Sequence, residues 1–402
     1  MARIAIFCDG TWNSPTNDQP THVFTLFEAA KASTQQRTVY LPGVGTGGKR
    51  GSFLGKTLNR IGGGAFGWGL NANIKQAYRA VAMLYRPGDE IMIFGFSRGA
   101  YTARSLAGMI RKCGIIENPS EKRIDAAFEL YRLPGAENVP DADHILRQRR
   151  AMSPRFATSP KDLEWRASNP VAGQEVPSEI VKISYLGIWD TVGALGVPSS
   201  VLGPVATLWN KRYLFHDTSL SSMVKSARHA VALDERRVFY RPGLWGNFEE
   251  TRDHEGLNKG DRTPDRPFQQ VWFVGTHSLV GGSAATRPLT AITLEWIAQG
   301  AAAVGLEMHN DRPLLDAAPD PTIDADELSD ASLVYRLAGS LLDWRKGPGH
   351  PIDLHASARD RVRARPDYRP LSLRNLMPEL FGGKPIGADA GGPTDTPSTQ
   401  LP

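Results

Sequence analysis

The chain has 402 residues, of which 41% are hydrophobic and 22% are charged, a balance typical of globular rather than disordered proteins. Its formal charge of +5 comes from scattered arginines without a Lys/Arg block, which argues against a nucleic-acid-binding protein. No apolar run approaches the roughly 18 residues of a membrane span, and the amino terminus lacks the apolar core of a signal peptide. We therefore expect a cytoplasmic protein, with export without a cleaved signal peptide as the alternative.

The first part of the chain alternates predicted strands with predicted helices. Apolar runs predict strands at 3–8, 38–45 and 90–95. Apolar residues at helical intervals over 70–85 predict a helix before the third strand, and the nine glycines within 47–69 predict a mobile loop ahead of it. This order of elements is typical of a parallel sheet with helices on both faces, so we predict an α/β fold.

A polar insertion follows the third strand and its helix, which we predict at 98–112. Residues 114–180 are charged and rich in proline and arginine, with a helical stretch at 121–132 and no strand pattern. We predict that this segment is a helical cap or lid over the sheet.

Strand character returns in the second half of the chain at 180–190 and at 268–277. The stretch between them, "SLSSMVKSARHAVALDERR" (219–237), is predicted to be helical. The last residues, 383–402, are rich in Gly, Pro and Thr, which predicts a disordered tail. Residues 1–382 are then expected to form one catalytic domain.

The third strand runs directly into the sequence "GFSRGAY", in which a serine stands between two glycines. At a strand-to-helix turn this pattern lifts the serine hydroxyl above the sheet, and side chains in place of the glycines would collide with neighbouring elements. The following helix directs its amino-terminal dipole and the amide of Arg98 towards any oxyanion formed there. We therefore predict that Ser97 is a nucleophile, with a chemically inert tight turn as the alternative.

A nucleophilic serine needs a histidine base and a carboxylate that orients it, and both follow later strands. His277 comes directly after an apolar strand and before a glycine turn, which favours it as the base. Asp190 ends the strand after the insertion and is the favoured acid. Asp234 is the rival, but its setting within the predicted helix, next to Glu235 and two arginines, is typical of a structural ion pair.

The loop after the first strand is the candidate for the rest of the oxyanion site. Asp9 ends that strand and precedes the serine in the chain, so the amides of Gly10 or Thr11 are placed to be the second donor. The two cysteines, Cys8 and Cys113, lie in apolar contexts and are predicted to be buried thiols. Because no His, Cys or carboxylate cluster has ligand spacing, we expect no metal and no organic cofactor.

Six blocks in the same order also carry a resemblance to a known family, over roughly residues 3–305. The sequence resembles a bacterial and fungal family of uncharacterised alpha/beta hydrolases that includes the catalytic domain of type VI secretion phospholipase effectors. The blocks are "IFCDGTWN", "LPGVGTG", "GLNANIKQAYRAVAMLYRPGDEIMIFGFSRGAYTARSLAGMI", "YLGIWDTVGALG", "RHAVALDERR" with the following "PGLW", and "VWFVGTHSLVGG".

The resemblance implies an alpha/beta hydrolase fold and a serine-dependent lipid hydrolase with Ser97, Asp190 and His277 as the triad. The family commonly has an acidic residue two positions after the histidine and an aromatic residue after the glycines. Here Leu279 and Ser283-Ala284 stand at those places. The triad residues are unaffected by this difference, which concerns the surroundings of the histidine.

The sequence thus predicts a phospholipase that acts on a glycerophospholipid and makes peripheral contact with an anionic membrane. It does not identify a protein partner. A soluble carboxylesterase for small acyl esters is the nearest alternative. A binding protein that kept the fold without activity is the alternative from another class, and the intact serine, acid and histidine set argues against it.

Overall fold

The described part of the chain forms one six-stranded sheet with helices around it. In this computed structural model the described residues are 1–11, 13, 18–44, 63–177, 179–193, 219–249, 256–311, 313–328, 342–376 and 380, with the helical backbone alone for 63–68. The strands are β1 (Arg3–Cys8), β2 (Gln36–Leu41), β3 (Glu90–Phe96), β4 (Lys182–Trp189), β5 (Ala227–Ala232) and β6 (Phe268–Phe273).

All the strand pairs are parallel, in the order β2-β1-β3-β4-β5-β6. The chain therefore leaves β1 towards one side for β2 and returns to the other side for β3. In open parallel sheets, ligands bind at the carboxyl ends of the strands beside such a reversal. This edge of the sheet is where Ser97 and Asp190 follow β3 and β4.

Helices cover both faces of the sheet, which confirms the predicted α/β class. They are α1 (His22–Ala29), α2 (Gly63–Leu84), α3 (Arg98–Cys113), α4 (Glu121–Arg132), α5 (Asp143–Met152), α6 (Pro160–Ser168), α7 (His277–Gly281), α8 (Arg287–Ala303) and α9 (Ala356–Ala364). Short 3-10 helices lie at Ala136–Asn138, Val238–Tyr240, Asp326–Leu328, Pro351–Asp353 and Leu371–Leu376.

The alternation of side chains along the strands produces two apolar cores. Ile4 and Ile6 of β1 belong to one core, together with buried residues of α2 and α3. Ala5 and Phe7 belong to the other core, with buried residues of α1 and α8. Strands buried on both faces explain why β1 and β3 are continuous apolar runs in the sequence.

The fifth strand corrects the helix predicted for residues 219–237. Ala227–Ala232 is a strand that pairs with β4 on one side and β6 on the other, and five of its six residues are buried. Its three alanines favour a helix in isolation, but pairing on both sides and burial outweigh that local preference. His229 is consequently a strand residue and not a helical one.

The glycine-rich segment before the third strand is also different from the prediction. Helix α2 begins at Gly63, within the segment predicted as a mobile loop, whereas 47–62 lie outside the described residues. A Cβ atom on Gly69 would lie 2.2 Å from Cγ1 of Val44. Glycine at this position therefore allows the helix to approach the chain that follows β2.

The insertion at 114–180 is helical, as predicted, but its anchors lie away from Ser97. Arg149 donates to the carbonyl of Arg111 at 3.0 Å, and Lys112 donates to that of Leu133 at 3.0 Å. Residues 111 and 112 lie in the last turn of α3, which starts beside Ser97 and, at about 1.5 Å per residue, ends about 20 Å away. These contacts hold the insertion against the carboxyl-terminal end of α3, and a role as a cap over Ser97 stays a prediction.

Among the described helices, none combines the length and apolar character needed to cross a membrane. Both cysteines are buried free thiols, as predicted. Burial raises the pKa of both thiols, that of Cys113 to about 12, so neither is a reactive thiolate near neutral pH.

Candidate active site

Ser97 lies on a strained turn between β3 and α3. Its backbone has φ 57° and ψ −122°, a conformation that few non-glycine residues adopt. The turn is held on both sides, because the Ser97 amide donates to the carbonyl of Trp189 at 3.0 Å and the Tyr101 amide donates to that of Ser97 at 3.3 Å. This is the geometry of a nucleophile elbow, which raises the hydroxyl above the end of the strand.

The two glycines of the G-x-S-x-G sequence are required by close backbone contacts. A Cβ atom on Gly95 would lie 2.5 Å from the carbonyl oxygen of Gly99. One on Gly99 would lie 2.1 Å from the carbonyl oxygen of Cys8 and 2.5 Å from that of Asp9. The first turn of α3 is thus packed directly on the end of β1, which places the Asp9 loop beside Ser97.

His277 connects the serine to a carboxylate. It is the first residue of α7, after β6, and its Nε2 lies 2.9 Å from Oγ of Ser97. Its Nδ1 lies 2.6 Å from Oδ2 of Asp190. In the neutral ring that fits both contacts, Nδ1–H donates to Asp190 and Nε2 accepts from the serine hydroxyl. Three side chains predicted to act together therefore form one hydrogen-bonded chain.

The surroundings of His277 hold the ring in place and favour its neutral form. The ring packs against Phe96 and Tyr240, with centroid distances of 4.6 and 4.7 Å. Its amide donates to Oε2 of Glu235 at 3.1 Å. Burial lowers the pKa of His277, and the hydrogen bond and charge of Asp190 offset that shift only in part. A neutral imidazole is the form that can accept a proton.

Asp190 is fully buried and has four donors. Besides His277, it accepts from the Ala232 amide at 3.0 Å and from both terminal nitrogens of Arg345, at 2.6 and 2.9 Å. Burial alone would raise the pKa of Asp190, but the guanidinium of Arg345 and the hydrogen bond from His277 hold it well below its usual range. The carboxylate is therefore charged while His277 is neutral.

The rival carboxylate has a different setting. Asp234 follows β5 and accepts from the Gly275 amide at 2.7 Å and from the Tyr368 hydroxyl at 2.9 Å. Burial raises the pKa of Asp234 to about 6. The arginine pairing predicted there involves its neighbour, since Arg237 donates to both carboxylate oxygens of Glu235 at 2.8 and 2.7 Å.

The oxyanion candidates lie around the elbow, and they are not equivalent. The Arg98 amide is at the amino terminus of α3. The Gly10 amide already donates to Oδ1 of Asp9 at 2.6 Å, whereas the Thr11 hydroxyl oxygen is buried with no hydrogen-bond partner in the described part of the chain. Tyr40 and Thr21 donate to Asp9 at 2.6 and 2.8 Å and fix this loop. The oxyanion roles stay a prediction.

Two residues of the site are absent from the sequence predictions. Glu235 stands in the predicted helix, and it is recognisable as a site residue only once β5 is known to be a strand. Arg345, in "LLDWRKGPG", carries no local signal, because nothing near it in the sequence marks a contact with a residue 155 positions earlier. Among the described residues, no group of three or more His, Cys, Asp or Glu side chains could hold a metal ion.

Comparisons with known proteins place this chain in a family. Residues 2–300 match the family model described as "T6SS, Phospholipase effector Tle1-like, catalytic domain". The uncharacterized protein YEL023C of Saccharomyces cerevisiae is 28% identical over 242 residues, which are 58% of this chain and 31% of the yeast protein.

Two solved structures are similar at lower identity. An uncharacterized protein from Pseudomonas aeruginosa is 15% identical, with a TM-score of 0.39 over 77% of this chain and 47% of that one. The Tle1 effector bound to the VgrG spike from the type 6 secretion system is 17% identical, with a TM-score of 0.34 over 70% of this chain and 51% of that one. The chain spans about a third of the yeast protein and about half of each solved chain.

The family match agrees with the resemblance carried by the six sequence blocks and confirms it. It begins before β1 and ends within α8, and so it contains the whole sheet and the residues Ser97, Asp190 and His277. Because residues 2–300 are most of the 402-residue chain, the protein belongs to the Tle1-like family of type VI secretion phospholipase effector catalytic domains.

Proposed function

We propose that the protein is a serine-dependent phospholipase whose catalytic triad is Ser97, His277 and Asp190. The observation that carries the proposal is the hydrogen-bonded chain from Oγ of Ser97 through the His277 ring to Asp190, with distances of 2.9 and 2.6 Å. A nucleophile, a base and a carboxylate in this arrangement are the parts that acyl transfer requires.

The proposed reaction proceeds through an acyl-enzyme. Oγ of Ser97 attacks the carbonyl carbon of an ester while Nε2 of His277 takes the hydroxyl proton. The carbon–oxygen bond to the alcohol then breaks, and Nε2 returns the proton to the leaving alkoxide. Water, activated by the same nitrogen, releases the fatty acid and restores Ser97. Asp190 holds the imidazole tautomer and stabilises the imidazolium that forms in each half.

The tetrahedral intermediates need donors for their negative oxygen. We assign this role to the Arg98 amide, which the dipole of α3 assists, and to Thr11 on the loop after β1. The Gly10 amide already donates to Asp9, which disfavours it relative to the Thr11 amide.

The proposed substrate is a glycerophospholipid, because the family model that matches 2–300 is that of a phospholipase effector catalytic domain. A formal charge of +5 fits contact with an anionic lipid surface. The acyl ester of such a lipid supplies the carbonyl carbon that Ser97 attacks.

The first test is the loss of the nucleophile. Ser97→Ala is expected to lower turnover of a p-nitrophenyl ester on the order of a million-fold, as for the nucleophile of serine proteases. It should also abolish labelling by a fluorophosphonate, with an almost unchanged thermal midpoint because alanine meets the same backbone strain. Ser105→Ala is the matched control, since Ser105 is also buried but lies within α3. Undiminished turnover in pure Ser97→Ala protein would contradict the nucleophile.

The second test concerns the substrate. We expect hydrolysis of a short-chain phospholipid to accelerate when its concentration crosses the critical micelle concentration. Hydrolysis of anionic vesicles should slow as salt is raised, because added salt screens the attraction between the protein and the lipid. The screening length falls to about 8 Å at physiological ionic strength. A rate that saturates below the micelle threshold, with small esters preferred, would identify a soluble carboxylesterase instead.

A further inference from the structure

Arg345 contacts the proposed triad from outside it, through the carboxylate of Asp190. Its Nη1 and Nη2 reach the two oxygens of Asp190 at 2.6 and 2.9 Å, as a bidentate pair. Nη1 also donates to the carbonyl of Ala232 at 2.9 Å, and Nη2 donates to that of Tyr240. Arg345 is itself 6% exposed, so both charges of the pair are removed from water.

The segment that carries Arg345 lies beyond the residues that match the family model, which end at 300. It is nevertheless built into the edge of the sheet that bears the site. Leu342 bridges to Arg237, and Leu354 bridges to Trp272 of β6. Further along, the Tyr368 hydroxyl donates to Asp234. The guanidinium is therefore held by contacts on both sides of it in the chain.

We propose that Arg345 is a positioning residue for the Asp190–His277 pair: it fixes the carboxylate in the orientation that His277 needs and offsets part of its charge. The inference rests on the proposed function. Asp190 is at φ 37°, a strained backbone position, and two of the four donors to its carboxylate are nitrogens of Arg345. A bidentate guanidinium supplies that orientation, which a point charge does not.

The charge has a consequence with a definite sign. The base must be neutral to act, so activity falls when the Asp190–His277 pair takes up a proton at low pH. A neighbouring cation makes that uptake less favourable, and losing the cation makes it more favourable. We call the pH below which activity falls to half its maximum the acidic limit. Removal of Arg345 should therefore move this acidic limit to higher pH.

Other charged and titratable groups face the pair from the neighbouring elements. Glu235, after β5, favours protonation of His277, and Arg237 opposes it. His229 in β5 interacts with Asp190 and with Arg104 of α3, and burial lowers the pKa of His229 to about 3, so this ring stays neutral in the pH range of interest. The Tyr240 ring packs on His277. Arg345 also lowers the pKa of His229 and of Glu235, so a variant that keeps a positive charge is needed to separate loss of the charge from loss of the guanidinium geometry.

The test compares two substitutions. Arg345→Met removes both the positive charge and the bidentate guanidinium, whereas Arg345→Lys keeps a positive charge without the bidentate geometry. Arg361→Met is the matched control, because Arg361 is similarly buried in the same segment but donates to the carbonyls of Pro321 and Ile323. Rates are measured against pH and referred to sites that react with a fluorophosphonate.

We expect Arg345→Met to lower kcat about ten- to a hundredfold, as for other residues that orient a catalytic side chain. Its acidic limit should rise by about one pH unit or more. Arg345→Lys should lower kcat as well but leave the acidic limit near that of the unaltered protein. Arg361→Met should change neither quantity per labelled site.

A titration without turnover keeps this inference separate from the proposed function. In Ser97→Ala protein, the imidazole protons of His277 are followed by NMR against pH, with and without Arg345→Met. If the unaltered protein hydrolyses no ester, the phospholipase proposal fails, and the titration still decides the role of Arg345. An unchanged midpoint, or unchanged kcat and acidic limit per labelled site, would overturn the inference and leave Arg345 a structural ion pair.

Discussion

Two buried aspartates at the same edge of the sheet have pKa values shifted in opposite directions. Asp190 follows β4 and Asp234 follows β5, and both are at most 5% exposed. The pKa of Asp190 is held well below its usual range, while that of Asp234 is raised to about 6. The difference follows from their partners: Asp190 has a guanidinium, and Asp234 has neutral donors, the Gly275 amide and the Tyr368 hydroxyl. Position after a strand selects the candidates, and a charged partner determines which of the two carboxyl groups has a lowered pKa.

The largest effect that would separate the two aspartates is on catalysis. Asp190→Asn should lower kcat/KM of ester hydrolysis by about four orders of magnitude, because an amide favours the wrong imidazole tautomer, as in serine proteases. Asp234→Asn should change it by less than about threefold, since Asp234 contacts Gly275 and Tyr368 and not His277. Steady-state kinetics of both variants provide the comparison, and the reverse pattern would reassign the acid to Asp234.

A smaller effect is expected in the pH dependence of stability. A carboxyl whose pKa rises from 3.8 to about 6 on folding binds its proton more tightly in the folded state. Its contribution to stability is therefore present below about pH 4 and is lost as the pH rises to about 6. For Asp234 this amounts to about 2 to 3 kcal/mol.

Asp9 has a pKa raised to about 6 in the same way and adds to this loss in the unaltered protein. Asp190, with its lowered pKa, acts only below about pH 4, so it does not contribute in this window. Buried histidines act in the opposite direction, because burial lowers the pKa of His22 and His229 to about 3 and their contribution to stability rises with pH. In urea unfolding between pH 4 and 7, the stability of Asp234→Asn relative to the unaltered protein should therefore increase with pH, by about 2 to 3 kcal/mol. Parallel stability curves for the two proteins would show that folding does not raise the pKa of Asp234.

The smallest expected effect concerns the hydrogen bond between the Tyr368 hydroxyl and the Asp234 carboxylate. Tyr368→Phe removes one of its two donors and should reduce the free energy of unfolding by about 1 kcal/mol. The pKa of Asp234 should rise further, because a neutral donor to the charged form is lost. Activity per labelled site should not change. In the Asp234→Asn background the same substitution should cost a different amount, and strict additivity would contradict the contact.

Much of the fold could be predicted from local patterns. The strands β1, β3, β4 and β6 are apolar runs bounded by turns, and β1 was placed at its observed residues, 3–8. The elbow was predictable because Gly95, Ser97 and Gly99 are dictated by contacts between neighbouring strands and helices. His277 and Asp190 are predictable candidates because each follows a strand, and strands of this kind are visible in the sequence.

Other features depend on contacts that sequence does not display. The strand Ala227–Ala232 is composed of residues that also suit a helix, and it is a strand because β4 and β6 pair with it. The placement of the insertion follows from Arg111 and Lys112 in the last turn of α3, and a polar composition alone does not specify where it is anchored. Arg345 contacts Asp190 through tertiary structure alone.

The separation of 155 positions between Asp190 and Arg345 has a consequence for how the site is completed during translation. Ser97, Asp190 and His277 leave the ribosome in that order, and Arg345 follows them, 155 positions after the aspartate that it contacts. While residues 278–344 are being translated, the nascent chain already holds the serine, the acid and the histidine, but the Asp190 carboxylate has no guanidinium to face it. The guanidinium partner of Asp190 is supplied only after translation has passed Arg345 and the segment around it has docked on the sheet, so the contacts of the proposed site are completed after its three proposed catalytic residues have been made.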